Sequence, residues 1–231
     1  MSVFEIRENS FYLDGEIFNL LSGAVHYFRT VPEYWEDRLL KLKACGLNTV
    51  ETYIPWNLHE KSEGKFNFSG IADVESFINL AGSLELKVII RPSPFICGEW
   101  EFGGLPAWLL SDSNMKLRCA CPLYLKKIEN YYNELIPRIS ALQCTKGGPV
   151  ILVQIENEYG SYGNDKKYLS FLENNMRQNG IEVPLFTSDG ACDMMLSGGT
   201  LPYVFKTVNF GSGAKGAFEN LRAIQPEAPL M

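Results

Sequence analysis

The sequence predicts an α/β fold, a (β/α)8 TIM barrel entered through a short N-terminal β-hairpin, and three observations lead there. Short apolar runs alternate with amphipathic stretches of helical spacing along the 231 residues. Most of the runs end in polar, aromatic or glycine residues, as strands do at the functional rim of a barrel. No Gly-x-Gly-x-x-Gly follows the first run, which ends instead in His26, Tyr27, Phe28 and Arg29. An open doubly wound sheet usually carries that phosphate loop, so the closed barrel is preferred.

The elements follow in order. Phe4 to Arg7, Phe11 to Leu13 and Glu16 to Phe18 read as short extended segments, with Asp14-Gly15 as a hairpin turn. Strands are expected at Leu20 to Tyr27, Thr49 to Trp56, Lys87 to Pro94, Val150 to Glu158, Pro184 to Asp189 and Thr207 to Phe210. Apolar residues recur at helical spacing over Tyr34 to Ala44, Ala72 to Leu84, Leu123 to Leu142 and Lys166 to Asn179. Gly46 and Gly180 stand just past two of these, where a left-handed cap belongs. Six strands are thus expected, and Ala228 to Met231 reads as the start of a seventh. With no repeat or linker, residues 1–231 read as one unit, the N-terminal portion of a barrel domain.

Composition narrows the function. The chain is 46% hydrophobic and 13% aromatic, enough apolar material for a folded domain with a cleft. Its 21 Lys and Arg against 27 Asp and Glu give a net charge of -6, and no basic run could follow a phosphate backbone, so no nucleic-acid partner is expected. The opening residues are polar where a signal peptide would be apolar, and no segment is apolar for a membrane span's length. A soluble, cytoplasmic protein with no membrane partner is therefore expected. Six scattered cysteines read as reduced thiols, Cys119 and Cys121 lack zinc-finger spacing, and neither metal nor cofactor is expected. The oligomeric state is left open, and a homo-oligomer is compatible with the sequence.

The chemistry concentrates at the end of the fourth strand. A period of two puts Val150, Leu152, Gln154, Glu156 and Glu158 on one face and Ile151, Val153 and Ile155 on the other. The uniformly apolar face is expected to meet helices, leaving Glu158 at the inner rim and Glu156 a layer below. Glycosidic cleavage needs such a carboxylic acid, because an alkoxide leaving group must be protonated as it departs. An internal ion pair with Arg91 is expected for Glu156. Sugar sites also need flat apolar surfaces among fixed polar groups. Tyr53, Trp56 and Asn57 follow the second strand, and the loop from Phe95 to Trp108 mixes aromatics with Glu99, Glu101 and glycines. Aromatic clusters are more often core, but that loop composition suits a binding rim.

Four motifs carry a resemblance. His26 to Arg29, Glu51 to Asn57, Arg91 to Trp108 and Gln154 to Gly160, in that order, resemble glycoside hydrolase family 35, the β-galactosidases that include the lysosomal enzyme. The resemblance implies a retaining exo-β-galactosidase acting on a galactoside or galactose-terminated oligosaccharide. It implies Glu158 as acid/base and Asn157 on the substrate's 2-hydroxyl. It also implies that Tyr53, Glu99 and the backbone of Gly98 contact the galactose hydroxyls. Arg118 to Pro122 departs from the family pattern in a loop expected to touch no catalytic group.

The family's nucleophile is a Glu followed by an aromatic residue on the seventh strand, shortly after a Pro-Leu pair. Here Pro229-Leu230-Met231 is as far as the sequence goes, Glu219 and Glu227 do not match, and no nucleophile is assigned. A polypeptide of this length alone is expected to be inactive. Two further readings remain open, a barrel that binds sugar without hydrolysing it and a related exo-β-glycosidase such as a β-glucosaminidase.

Overall fold

The computed structural model describes residues 1–231. The chain begins with a three-stranded antiparallel sheet, β1 (Phe4–Arg7), β2 (Ser10–Leu13) and β3 (Glu16–Ile17). Asp14 (φ 55) and Gly15 (φ 85) take the left-handed backbone that a two-residue hairpin turn requires. The expected hairpin is thus present, and a second tight turn at Glu8 (φ 50) pairs the first expected segment with it.

The main sheet is parallel and has six strands, β4 (Ser22–Ala24), β5 (Thr49–Ile54), β6 (Lys87–Pro92), β7 (Val150–Gln154), β8 (Leu185–Gly190) and β9 (Phe205–Asn209). All six fall inside or beside the segments expected from hydrophobic patterning. Their order in space is their order in sequence. That decides between the two α/β architectures: a doubly wound sheet reverses direction at a switch point, whereas this one curls steadily onward as a barrel wall does. The main-chain N–H of Val208 on β9 donates to the carbonyl of Met231 at 3.0 Å, so residue 231 lies against the β9 edge of the sheet.

The helices are α1 (Trp35–Ala44), α2 (Trp56–His59), α3 (Val74–Ser83), α4 (Pro122–Ala141), α5 (Lys166–Gln178), α6 (Asp193–Gly198) and α7 (Ala214–Ile224). Local chemistry sets their ends. Asp73 caps α3 by accepting from the N–H of Ser76 at 2.9 Å, and Asp165 caps α5 by accepting from those of Lys167 and Tyr168. Gly46 (φ 83) and Gly180 (φ 96) follow α1 and α5 in the left-handed conformation. One hydrophobic core joins both sheets, with Phe4, Phe11 and Phe205 buried in the same cluster. No helix is long and apolar enough to cross a membrane.

Candidate active site

The strand register sets the inner face of the curled sheet. Tyr53 of β5 pairs with Arg91 of β6, Ile89 of β6 with Leu152 of β7, and Gln154 of β7 with Phe186 of β8, so alternate positions on these strands share one face. Arg91 is the buried hub of that face. Its guanidinium donates to Gln154 Oε1, to Asn157 Oδ1 at 2.8 Å and to Glu51 Oε1 at 3.3 Å, and it lies 4.4 Å from the centre of the Tyr53 ring. Asn157 Oδ1 also accepts from Gln154 Nε2 at 3.3 Å and from the Tyr53 hydroxyl at 3.4 Å. Three donors on one oxygen fix which way the amide faces. Its NH2 group is left to donate elsewhere, and no acceptor in the chain takes it.

Beyond Gln154 the strand ends and the period of two breaks down. Glu156 (φ 56) and Glu158 (φ 46) are both left-handed, which for residues with a Cβ is strained backbone of the kind that collects at functional sites. The sheet register also slips between Val88 and Ile89, so alternation holds only for Leu152 and Gln154.

Two expectations are corrected by this geometry. Glu156 does not sit in the barrel beneath Glu158, and its partner is not Arg91. The left-handed turn carries its side chain to the helix side of the sheet, where it is fully buried. There it accepts two bonds from Arg118, at 2.9 and 2.8 Å, and a third from the hydroxyl of Tyr168 on α5 at 3.0 Å. The Arg118 loop also borders the site. Arg118 Nη2 also donates to the carbonyl of Asn157 at 2.9 Å, so it anchors the peptide joining Asn157 to Glu158.

Glu158 itself is half-buried at the mouth of the sheet. Its N–H donates to the carbonyl of Ser188 on β8 at 2.9 Å, and its Oε1 accepts from Asn209 Nδ2 on β9 at 2.9 Å. Asn209 stands among the rim residues legible in the sequence, but nothing there singles it out.

The loop after β6 holds the other expected residues. Cys97, Gly98, Glu99 and Phe102 all have positive φ, and Arg29 ties the loop down by donating to the carbonyls of Gly98 and Glu99. A Cβ on Gly98 would stand 3.3 Å from the Tyr53 ring, so both φ and close approach call for glycine there. Tyr53, Gly98 and Asn157 are therefore brought together. Glu99 is exposed, and its carboxylate bonds no other side chain. Of the expected aromatic shelf, Trp56 is core, stacked on Tyr131 at 5.0 Å. Trp100 and Phe102 instead line a cavity of about 410 Å³ with Asn57 and Glu101, and none of the five expected site residues borders it.

The rim thus carries an Asn-Glu pair, with the buried Arg91 behind it and left-handed backbone in the loops on each side. The family model described as Glycosyl hydrolases family 35 matches residues 10–231. The chain belongs to glycosyl hydrolase family 35. Relatives include Beta-galactosidase 17 of Arabidopsis thaliana, 48% identical over 91% of this chain and 31% of that protein, and Beta-galactosidase of Homo sapiens, 47% identical over 99% of this chain and 35% of that protein. This family 35 chain thus spans about a third of the length of the curated relatives it matches. Among solved structures, an exo-beta-1,4-mannosidase from Opitutaceae bacterium strain TAV5 superposes with a TM-score of 0.71 at 13% identity, covering 94% of this chain and 45% of that one. A GH5_18 protein from Streptomyces cattleya in complex with GlcNAc gives 0.60 at 11% identity, over 79% and 45%. At such identities the likeness is one of fold alone.

Electrostatics distinguish the ionisable groups of the candidate site. Burial, with Arg29 and Arg91 nearby, lowers His26 to about 4, so it is neutral near pH 7. The Tyr53 hydroxyl is pushed up, chiefly by burial and further by Glu51 and Glu158, with Arg91 opposing. Asp189, whose Oδ1 accepts from the N–H of Gly160 at 2.7 Å, is raised to about 7 from 3.8, mainly by burial, with Glu156 and Glu158 adding to the rise. A raised carboxyl holds its proton in the folded state while the unfolded chain has lost it. Its contribution is complete below about pH 4 and is lost as pH climbs towards 7. Asp189→Asn keeps an acceptor for Gly160 without the charge. It is expected to flatten the fall of the thermal midpoint between pH 4 and pH 7, and melts across that range with no difference from the parent would count against it.

Proposed function

We propose that this chain is the N-terminal portion of the catalytic barrel of a retaining exo-β-galactosidase that releases terminal non-reducing β-D-galactose. The reading is carried by the Asn157-Glu158 pair, a half-buried carboxyl beside an amide whose oxygen is engaged and whose NH2 is free. Its support from sequence is the family match, with relatives named Beta-galactosidase at 46 to 48% identity.

In this mechanism Glu158 gives its proton to the glycosidic oxygen as the aglycone departs. It then takes a proton from the water that releases galactose. Asn157 donates its free NH2 to the 2-hydroxyl, an interaction that strengthens as the ring flattens towards the oxocarbenium ion. Tyr53, the backbone of Gly98 and the exposed carboxylate of Glu99 bind the remaining hydroxyls. Retention requires a second carboxylate about 5 to 5.5 Å from Glu158. Glu219 lies on α7 and Glu227 is exposed beyond it, so the reading assigns the nucleophile to the remainder of the full-length protein.

The test is a panel of aryl β-D-glycosides given to the full-length protein, with the anomer of the first-formed sugar followed by NMR. β-D-Galactose is expected as the first product, and galactosides are expected to be preferred over glucosaminides, glucosides and mannosides. Preference for another sugar, or α-galactose formed first, would overturn the assignment.

A further inference from the structure

An acid/base must meet its substrate with one particular oxygen. Glu158 has three rotatable side-chain bonds and is only half-buried, so packing alone does not choose that oxygen. A single side chain bonds its carboxyl group, Asn209 at the end of β9, whose Nδ2 donates to Oε1 at 2.9 Å. Asn209 is itself fixed, since its Oδ1 accepts from the hydroxyl of Ser188 at 2.8 Å. Ser188 holds the other end of the acid too, taking the N–H of Glu158 on its carbonyl at 2.9 Å. Two neighbouring strands therefore grip both the backbone and the carboxyl of one residue.

We propose that Asn209 is the positioning residue of the acid/base. With the amide N–H on Oε1, that oxygen acts as an acceptor, and Oε2, which bonds nothing in the chain, carries the hydrogen that moves. In the first step the O–H bond at Oε2 breaks as a new one forms on the departing glycosidic oxygen, which takes the C–O bonding pair while the second carboxylate bonds the anomeric carbon. In the second, the water oxygen bonds that carbon as the carboxylate leaves with its bonding pair, and Oε2 takes a hydrogen from the water. Misplacing a reacting group by about 1 Å can cost about a hundredfold in rate, and rotation about the side-chain bonds of an unheld glutamate moves its oxygens further than that. The proposal rests on the reading of Glu158 as acid/base.

The test uses the full-length protein with Asn209→Ala, Ser188→Ala, Glu158→Ala and the Glu158→Ala/Asn209→Ala double variant. Each is assayed for kcat/KM on an alkyl and on a 2,4-dinitrophenyl β-D-galactoside. The alkyl substrate needs proton donation, and the dinitrophenyl one leaves without it. Asn209→Ala is expected to lose about ten- to hundredfold on the alkyl substrate and to stay near the parent on the other. Ser188→Ala, which only frees the amide to turn, is expected to show the same pattern at smaller size, and it serves if Asn209→Ala does not fold. In the Glu158→Ala background, Asn209→Ala is expected to add no further loss. Equal losses on both substrates, or a further loss in that background, would mark a merely structural residue and overturn the proposal. If Glu158→Ala itself lacks leaving-group dependence, the acid/base reading fails and the proposal falls with it, a result distinct from failure of Asn209 alone.

Discussion

Glu158→Ala in the full-length protein is expected to lose about 10² to 10⁴ in kcat/KM on galactosides with poor leaving groups, while nearly sparing glycosylation by those with good ones. The asymmetry follows from what the acid supplies. A sugar alkoxide cannot depart unprotonated, whereas a dinitrophenolate can. The second step suffers for another reason, because water must be deprotonated as it attacks. Azide needs no base and is small enough to enter the space left by the missing carboxyl. Added azide should restore turnover on activated substrates and give a β-galactosyl azide, with retention marking Glu158 as the acid/base and not the nucleophile. An α-azide, or activity like the parent's, would sink the assignment. NMR of the azide product separates these outcomes.

The largest stability effect is expected at Arg118. Both partners of its ion pair are out of solvent, with 7% of the Arg118 side chain and 0% of the Glu156 side chain exposed. Arg118→Ala removes the bidentate contact and the bond to the Asn157 carbonyl together, and leaves a buried carboxylate with the Tyr168 hydroxyl and the N–H of Asn157 as its remaining donors. Breaking one side of a buried pair typically costs about 3 to 5 kcal/mol, because the surviving charge stays desolvated. For a chain of this size that is roughly 6 to 20 °C in the thermal midpoint. Glu156→Gln in the same background should recover part of the loss, since it removes the stranded charge. A midpoint within a degree or two of the parent would refute the account.

Much of this was readable beforehand, and the limits have physical causes. Strand positions were legible because a parallel strand buried on both faces is a short, dense apolar run, as in Val150 to Gln154. The rim was legible because such runs end abruptly in polar residues. Helix α6 escaped because six residues are too few to show a period, and α7 because it buries only Ala217 and Leu221. The fate of Glu156 was not legible at all. Alternation assumes extended backbone, and the left-handed residues at 156 and 158 break it where function needs a turn. Arg118 and Asn209 went unrecognised as partners because both act across long sequence separations, which periodicity does not reach.

The hydrogen-bonded order of the main sheet, β4 to β9 in simple succession, bears on how the chain is made. As it leaves the ribosome, each new strand finds its docking edge already present in the strand just synthesised, so the wall can grow in step with translation. The opening residues are the exception. Phe11 rests edge-on against Phe205 at 5.8 Å, and Asn9 accepts from Arg222 at 2.6 Å. The segment of Asn9 and Phe11 must wait for that of Phe205 and Arg222 before it is sealed in place, and until then Phe11 is exposed to chaperones and to neighbouring nascent chains.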